Sequence, residues 1–354
     1  MHTILRAGAV GAALLHSISA LADLARPDAH APIGVMGDHV HKAGEYMFSY
    51  RYMTMEMEGN LLGSNSISPD TIVTTIPNRF FGAPGQPPTL RIVPTEMTMD
   101  MHMFGAMYAP TDKVTLMVMA NYLQNDMDHL TYQGGMGTDV LGTFSTSTGG
   151  WGDTSVSALV SLIDRPATKV HTTLGVSLPT GSVEERDDIL TPMNMRPTVR
   201  VPYPMQLGSG SYDPILGLTY SGYGGSMAWG AQWRSTLRVM DNDEDYRLGD
   251  SHSLTGWVSY MFSPSVSASV RLSYQDQDTI DGIDPRIRGP VQTADPDRLG
   301  GETTTAAVGV NFLARGALEG WRLGLEYSVP VEQDLNGPQL ETDSTLTFGL
   351  QKAW

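Results

Sequence analysis

The segment from residue 265 to residue 278 reads SVSASVRLSYQDQD, so apolar and polar residues alternate along it. Its apolar positions are Val266, Ala268, Val270, Leu272 and Tyr274. Successive side chains of a β-strand point to opposite faces of a sheet, so this alternation is typical of a strand with one apolar and one polar face. The segment therefore predicts a strand that separates an apolar environment from a polar one.

The same alternation recurs along the chain and predicts about twelve strands. They span residues 45–58, 96–109, 112–127, 151–164, 167–179, 210–222, 226–241, 249–262, 265–278, 302–314, 319–331 and 342–354. Connections of a few residues alternate with longer ones, which include residues 128–150 and 332–341. Short periplasmic turns and long outer loops are typical of outer-membrane barrels. We predict an all-β fold, a transmembrane antiparallel up-and-down β-barrel of about 12 strands, with both termini in the periplasm.

The amino terminus has the pattern of an export signal. Arg6 precedes a small apolar stretch over residues 7–20, and the segment Ser19-Ala20-Leu21-Ala22 has the small-x-small pattern that signal peptidase recognises. We predict a signal peptide over residues 1–22, cleaved after Ala22. Residues 23–44 then form a periplasmic N-terminal segment, able to enter the lumen as a partial plug, and residues 45–354 form the barrel. The expected location is the outer membrane of a Gram-negative bacterium.

Composition excludes several classes of site and partner. The chain has no cysteine, so it forms no disulfide, no thiolate metal site and no lipoprotein anchor. A net charge of −16 argues against nucleic acid as a partner, because nucleic-acid binding requires basic surface. The acidic long connections are either solvated or bridged to lipopolysaccharide through divalent cations.

The last predicted strand indicates how the barrel meets the membrane. Leu346, Phe348, Leu350 and Trp354 share one face and resemble the C-terminal recognition strand of outer-membrane proteins. We therefore expect outer-membrane lipid and the barrel-assembly machinery as partners. Aromatic residues at strand ends are candidates for the interfacial girdles. These are Tyr108, Tyr122, Trp151, Trp257, Tyr260 and Trp321.

Strand parity assigns a set of charged side chains to the lumen. Lipid cannot satisfy polar groups, so the polar member of each alternation must point inward. The arginines are expected to attract anionic groups and to contribute to selectivity. The predicted lumen and selectivity residues are Arg51, Arg234, Arg238, Arg271, Arg322 and Glu326.

Methionine recurs at every second position of the first predicted strands and suggests a thioether wall. Clusters of thioethers with histidine nearby are a ligand set for Cu(I) or Ag(I), whereas unbranched methionine also packs an irregular or apolar lumen. On this parity Asp100 and His102 point toward lipid and must lie near the outer interface. The candidate metal residues are Met53, Met55, Met57, Met97, Met99, Met101, Met103, His102, Met117 and Met119.

Four sequence motifs carry a family resemblance. They are Gly149-Gly150-Trp151-Gly152-Asp153, Leu174-Gly175-Val176-Ser177-Leu178-Pro179-Thr180-Gly181, Leu207-Gly208-Ser209-Gly210-Ser211-Tyr212-Asp213 and Pro330-Val331-Glu332-Gln333-Asp334-Leu335-Asn336-Gly337. From about Trp151 to Trp354 the chain resembles the outer-membrane transporter family named for phenol-degradation pathways. The resemblance implies an outer-membrane barrel that passes small, often aromatic or apolar, organic molecules.

No motif for catalysis stands beside these features. His171 near Thr173, and His252 between Ser251 and Ser253, form no recognisable hydrolase motif, so we expect no enzyme. The function predicted from sequence is a channel or transporter for small apolar or aromatic molecules. The alternative is binding or transport of copper or silver in a methionine-lined lumen, with Cu(I) as the one possible cofactor.

Overall fold

The computed structural model describes residues 26, 27 and 30–354, and the predicted signal peptide over residues 1–22 lies outside the described residues. In chain order the strands are β1 (Tyr46–Gly63), β2 (Asn65–Ser66), β3 (Ile92–Thr111), β4 (Val114–Tyr132), β5 (Val140–Trp151), β6 (Thr154–Arg165), β7 (Thr168–Leu178), β8 (Arg186–Asp188), β9 (Thr198–Arg200), β10 (Asp213–Gly224), β11 (Met227–Thr236), β12 (Tyr246–Arg247), β13 (Ser251–Ser263), β14 (Val266–Gln277), β15 (Asp281–Gly282), β16 (Gly301–Leu313) and β17 (Trp321–Ala353). One α-helix, α1 (Pro69–Thr75), and four short 3-10 turns complete the elements: Tyr203–Met205, Gln292–Ala294, Pro296–Arg298 and Gly316–Leu318. No helix among the described residues is long and apolar enough to cross a membrane.

The main sheet closes into an antiparallel barrel. Its strand order is β17-β16-β14-β13-β11-β10-β7-β6-β4-β3-β1, and β17 also pairs with β1. The long element β17 has two limbs, because residues 322–335 pair with β16 whereas residues 335–353 pair with β1. Counting the two limbs separately gives twelve spans. The predicted all-β barrel and its strand number are confirmed.

Two predicted connections were wrong because the sheet continues where the apolar alternation stops. β5 lies within the predicted loop 128–150 and pairs with the outer half of β4, while β6 pairs with the inner half. The predicted loop 332–341 lies within β17. A membrane β-strand needs only about 9–11 residues, and beyond the lipid the outward face of a hairpin meets water. Ladder hydrogen bonds therefore persist there without an apolar outward face.

Side-chain exposure follows the predicted parity. Large apolar residues are exposed on the outer face of every strand of the barrel wall, where lipid covers them. Examples from β1 around to β17 are Phe48, Phe104, Leu116, Val156, Leu174, Leu218, Trp233, Val258, Val270, Val308, Leu325 and Leu346. Residues of the opposite parity on the same strands face the lumen and are buried. They include Arg51, Met103, Met117, Ser157, Thr173, Thr219, Gln232, Ser259, Ser269, Glu326 and Thr347.

One predicted girdle residue is corrected. Trp257 is 6% exposed and packs inside the barrel against Ala31 and Val35 of the N-terminal segment. Trp257 shares its face with Thr255 and Ser259, whereas Leu254, Val258 and Tyr260 point outward. Strand parity therefore places Trp257 inside, and its aromatic type alone does not assign it to a girdle. At the periplasmic end Lys352, which breaks the apolar pattern of the last strand, lies 5.8 Å and 5.5 Å from the ring centroids of Trp321 and Trp354. A cation above these rings suits the interface, where aromatic residues and lipid headgroups meet.

The two ends of the barrel differ. Tight connections close one end, such as the pairs Thr111 with Val114 and Gly224 with Met227, and this is the periplasmic end. Long connections over residues 179–212, 237–250 and 278–300 cover the other end, and we call them the outer cap. Helix α1 also lies at the outer end, with Ser68 as its N-cap and Ile72 and Val73 packed against Tyr132 of β4.

Candidate functional site

Residues 30–45, here called the lumenal segment, occupy the periplasmic half of the lumen and use several of the predicted arginines. Arg322 donates from Nη2 to the carbonyl of Ala31 at 2.5 Å and to Asn311 Oδ1 at 2.8 Å. Arg51 donates from Nη2 to the carbonyl of Val35 at 3.3 Å. Both guanidinium groups therefore satisfy backbone carbonyls that would otherwise be buried without a donor.

A buried ion pair supports the same segment. Arg271 Nη2 lies 2.6 Å from Glu326 Oε1, and the Glu326 side chain is 2% exposed. A Cβ at Gly34 would lie 2.2 Å from Glu326 Oε1, so only glycine allows the segment to pass this close to the pair. His171 of β7 hydrogen-bonds the carbonyl of Gly37 through Nε2 at 2.9 Å. We conclude that Arg271, Glu326 and His171 hold the lumenal segment.

A cavity of about 320 Å³ lies above this layer, and Arg234 lines it. No described residue forms a hydrogen bond or ion pair with the Arg234 guanidinium, whereas Arg238 in the same cavity pairs with Asp213. The wall also contains apolar side chains, which are Leu123, Leu207, Ile215 and Leu248. An engineered apolar cavity of about 150 Å³ binds benzene, so this space accommodates a one-ring molecule. Arg234 is the predicted lumen arginine that remains available to a ligand.

Asp153 joins three of the family-like motifs at the rim of this cavity. Its Oδ1 accepts a hydrogen bond from Gly181 N at 3.0 Å, and its Oδ2 accepts from Ser209 N at 2.8 Å and Ser209 Oγ at 2.7 Å. A Cβ at Gly181 would lie 2.7 Å from the Cα of Gly208, so the two backbones touch. One carboxylate thus positions the connection over residues 203–209 above the cavity.

The outer cap has a hydrophobic core of its own. Its buried members include Leu190, Tyr203, Tyr246, Ile287 and Val291, and burial raises the pKa of Tyr203 to about 12. A smaller cavity of about 90 Å³ lies between this core and the barrel wall. This cavity is smaller than the one beside Arg234.

A charged network sits next to this core. Arg200 Nη1 donates to Asp284 Oδ2 at 2.6 Å and lies 2.9 Å from Glu244 Oε2. Arg286 Nη1 donates to the Glu244 carboxylate at 2.7 Å. The Arg200 and Asp284 side chains are almost fully buried, so the network fixes the relative positions of three connections of the cap.

The predicted methionines divide into two groups along the lumen. Met117 and Met119 pack with Met47, Met107 and Leu159 near the lumenal segment. Met97 packs with Met127, Val201 and Met205 at the outer end, with Met57 and Met99 beside them. Between the groups, Met53 and Met55 of β1 stand opposite Met101 and Met99 of β3, and Met103 is buried on the same face.

His102 does not join these thioethers. It lies on the outer face of β3, where its Nδ1 is 2.8 Å from the Tyr50 hydroxyl, and Tyr52 donates to Asp100 Oδ1 at 2.7 Å. Alternation along the strand places its imidazole on the opposite side of the sheet from Met101 and Met103. The predicted combination of His102 with the methionines is therefore corrected.

Comparison with known proteins agrees with the fold and with the motifs. The family model described as putative MetA-pathway of phenol degradation matches residues 82–297, which is more than half of the chain. The chain belongs to this family. Three of the four motifs quoted above, including the Asp153 motif, fall within the matched residues of this phenol-degradation family. A comparison with curated proteins finds no match.

Solved structures similar to this phenol-degradation family member are outer-membrane barrels. The COG4313 outer membrane channel from Pseudomonas putida F1 has a TM-score of 0.57 at 14% identity, covering 90% of this chain and 99% of that one. The toluene transporter TodX from P. putida has a TM-score of 0.43 at 10% identity, covering 89% and 91%. A Pseudomonas aeruginosa FadL homologue has a TM-score of 0.42 at 9% identity, covering 95% and 94%. The likeness to the first of these structures shows that the chain has the fold of an outer-membrane β-barrel.

Sequence inspection missed two parts of this site. Asp153 was noted only as the end of a glycine-rich motif, because its partners Gly181 and Ser209 are 28 and 56 residues away. The cap network around Arg200 also joins residues that are distant in sequence. Glycine recurs beside Asp, Thr and Ser in these motifs. This recurrence is the sequence feature that indicates a close contact between backbone segments.

Proposed function

We propose that this protein is an outer-membrane channel for small organic molecules that have an apolar or aromatic body and an anionic group. The observation that carries this proposal is the Arg234 guanidinium, which has no hydrogen-bond or ion-pair partner among the described residues, in a cavity of about 320 Å³ with apolar side chains around it. The ring of such a molecule contacts Leu123 and Ile215, and its carboxylate or phenolate pairs with Arg234. Family membership supports the transport of small organic molecules.

Arg234 gives the path its selectivity because the other lumen arginines already have partners. A charged donor held away from bulk water binds an anionic acceptor more strongly than a neutral one. Arg271, Arg322 and Arg51 hold the lumenal segment, and Arg238 is paired with Asp213. The narrow cavities of the cap exclude larger solutes, and movement of the cap admits the substrate from outside.

Uptake into proteoliposomes tests the proposal. Benzoate and benzyl alcohol have similar size and differ in charge, so the ratio of their uptake rates reports the contribution of Arg234. For Arg234→Gln we expect benzoate uptake to fall about 10-fold, because a hydrogen bond to a charged group contributes about 1.5–3 kcal/mol. Benzyl alcohol uptake should change less than about twofold.

Arg165→Gln is the matched control, since Arg165 lies at a periplasmic turn away from the cavity. Its two uptake rates should equal those of the wild type. Equal loss of benzoate and benzyl alcohol uptake in Arg234→Gln would assign Arg234 a structural role and contradict the proposed selectivity.

A second candidate is Cu(I) or Ag(I) binding by the methionines. It is supported by the cross-strand pairs Met53 with Met101, Met55 with Met99, and Met57 with Met97, because residues directly opposite on neighbouring strands have Cβ atoms about 4.5–5.5 Å apart. A competition titration compares the wild type with the variant in which Met97, Met99, Met101 and Met103 are leucine. Sub-micromolar binding that the variant loses is the expected result, and equal weak binding in both proteins removes this candidate.

Two partners complete the proposal. The outward face of the last strand, with Leu346, Phe348 and Trp354, is offered to the barrel-assembly machinery during insertion. Carboxylates on the outer face above the aromatic girdle contact lipopolysaccharide through divalent cations. These carboxylates include Glu56, Glu96, Asp126 and Asp128, whose side chains extend from β1, β3 and β4 beyond the lipid-facing rows.

A further inference from the structure

The lumenal segment brings three histidines and one aspartate together near the periplasmic end. The ring centroids of His30 and His39 are 4.4 Å apart, and those of His39 and His41 are 4.6 Å apart. His30, Asp38 and His39 can each offer one ligand atom, and these atoms lie within 4.8 Å of one another. All four residues belong to the short stretch from His30 to His41, so the loop itself forms the cluster.

Carboxylates orient two of these imidazoles. Asp38 Oδ1 lies 2.9 Å from His39 Nδ1, and Glu45 Oε2 lies 3.4 Å from His41 Nδ1. In this arrangement each Nδ1 carries a hydrogen and donates a hydrogen bond to the carboxylate. The Nε2 lone pair is then free. Asp38 is itself held by the backbone N–H of Ala31, which donates to Oδ2 at 2.8 Å. The same carboxylate–histidine arrangement orients imidazoles that bind metal ions.

Three imidazole nitrogens of the cluster are buried, and one of them, His30 Nδ1, lies 3.8 Å from Asp38 Oδ2. His30 Nδ1, His39 Nε2 and His41 Nε2 lack a hydrogen bond within the part of the chain that the structure describes. The side chains of His30 and His41 are 6% and 0% exposed. Buried polar atoms without a partner are uncommon in proteins, and three in one cluster indicate a missing ligand that accepts lone pairs.

We propose that His30, His39 and His41 bind a divalent transition-metal ion of the Zn²⁺ class, with Asp38 orienting His39. Imidazole suits Zn²⁺ and similar divalent ions, whereas Cu(I) and Ag(I) prefer the thioethers of the methionine-lined wall. Tetrahedral Zn²⁺ holds its nitrogen ligands about 2.0–2.1 Å from the ion, so the three imidazoles need to move closer together to bind it. A cavity of about 110 Å³, lined by these residues and by Lys42, Asp164 and His171, connects the cluster to the periplasmic mouth.

The metal ion fastens the loop of the lumenal segment. His30 lies before the contacts that Val35 and Gly37 make with the barrel wall, and His39 and His41 lie after them. When His30 and the pair His39 and His41 bind the same ion, they close the loop between them. The closed loop stabilises the docked segment. This site is independent of the proposed channel selectivity, which rests on Arg234 and the cavity farther out.

Isothermal titration with Zn²⁺ on the full-length purified protein, prepared in detergent without a polyhistidine tag, tests this inference. We expect one ion per barrel with sub-micromolar affinity. The variant H30Q/H39Q should bind at least about 30-fold more weakly, since even outer contacts of metal ligands change affinity by 10–100-fold. Zn²⁺ should raise the melting temperature of the wild type and leave that of H30Q/H39Q unchanged.

The matched control removes the same number of histidines elsewhere. In H102Q/H252Q one histidine lies on the outer face beside Tyr50 and the other contacts Ser235, so Zn²⁺ affinity should stay within about twofold of wild type. The variant with four leucines in place of Met97, Met99, Met101 and Met103 should also retain Zn²⁺ binding. Equal affinity in wild type and H30Q/H39Q, or equal loss in H102Q/H252Q, overturns the proposal.

A spectroscopic measurement covers the case in which H30Q/H39Q does not fold. Cu²⁺ bound to the wild type should show nitrogen superhyperfine coupling from two or more imidazoles in its electron paramagnetic resonance spectrum. The folded control H102Q/H252Q should give the same spectrum. Coordination by oxygen alone would contradict the assignment of His30, His39 and His41 as ligands.

Discussion

At the residue scale, the polar groups of the lumen act mainly on the chain itself. Arg271 and Glu326 form an ion pair beneath the lumenal segment, and both side chains are mostly buried. A charge buried without its partner is far less stable than the intact pair, because neither water nor a counter-charge solvates it. A single substitution in this pair should therefore have a large effect on the free energy of unfolding.

Glu326→Gln should lower the free energy of unfolding by about 3 kcal/mol, since it leaves the Arg271 guanidinium without a counter-charge. Urea-induced unfolding in detergent micelles, followed by tryptophan fluorescence, measures this change. The double variant Arg271→Gln with Glu326→Gln removes both charges and should recover most of the loss. Equal destabilisation by the single and the double variant would show that the ion pair is not the cause.

At the scale of elements, three connections meet at Asp153. The carboxylate follows β5, and its hydrogen bonds hold the segment after β7 and the connection before β10. Family-like motifs that are far apart in sequence thus describe one junction at the cavity rim. The junction, rather than any single strand, positions Tyr203 and Leu207 above the lumen.

Asp153→Ala should loosen this junction, because three hydrogen bonds to a charged acceptor are lost. Hydrogen exchange at the amides of Gly181 and Ser209 should become faster, while exchange in the barrel strands should not change. Asp343→Ala is the control, since Asp343 is exposed on β17. Unchanged exchange at Gly181 and Ser209 would argue that the backbone contact of Gly181 with Gly208 holds the junction without Asp153.

At the scale of the whole molecule, the barrel is blocked at both ends. The outer cap has its own hydrophobic core, and the lumenal segment fills the periplasmic half. We expect movement of one of these parts to admit a solute to the cavity beside Arg234. The hydrophobic core belongs to the cap, whereas the buried histidines His30 and His41 belong to the lumenal segment, so a substitution in the core and a change of pH test the two parts separately.

Ile287→Asp should open the outer cap, because it places an unpaired carboxylate in an apolar cluster where Ile287 is 1% exposed. Single-channel recordings in planar bilayers should show a larger conductance than the wild type. Phe81→Asp is the control, because Phe81 is 65% exposed and should leave the conductance unchanged. An unaltered conductance in Ile287→Asp would show that the cap is not the main barrier.

Acid should release the lumenal segment. The pKa values of His30 and His41 are lower in the docked segment than their ordinary value of about 6.5, so a displaced segment takes up protons first as the pH falls. Docking is fully stabilised above about pH 6.5 and weakens progressively below it. The groups that face His30 are His39, Arg322, Asp38 and His41, and with all of them present the pKa of His30 is still lowered.

Hydrogen exchange measures this release. The amide of Val35, which donates to the carbonyl of Pro32, should be less protected at pH 5 than at pH 7.5 after correction for intrinsic rates. In the variant H30Q/H41Q the protection should be the same at both pH values. Equal protection of the wild type at pH 5 and pH 7.5 would contradict the mechanism.

The sequence alone determined the barrel, its strand number and the face of nearly every strand. Lipid tolerates no unsatisfied polar group, so a transmembrane strand must show a period of two, and this rule acts locally on each segment. The rule holds at Trp257, which shares the inner face with Thr255 and Ser259, but it does not identify β5, whose outward face lies beyond the lipid. Parity also predicted the burial of Arg51, Arg322, Met97, Met103, Met117 and Met119, whereas Arg238 lies beyond the end of β11.

The tertiary structure alone decided which of these residues are available for function. Arg234 differs from Arg271, Arg322 and Arg51 only because the lumenal segment and Glu326 do not reach it. Asp153 and the cluster around His39 likewise depend on partners that the chain brings together from a distance or through a loop. Periodicity indicates the environment that a side chain faces, whereas three-dimensional packing decides which group the side chain binds. The sequence therefore could not distinguish an arginine that supports the lumenal segment from one that binds a substrate.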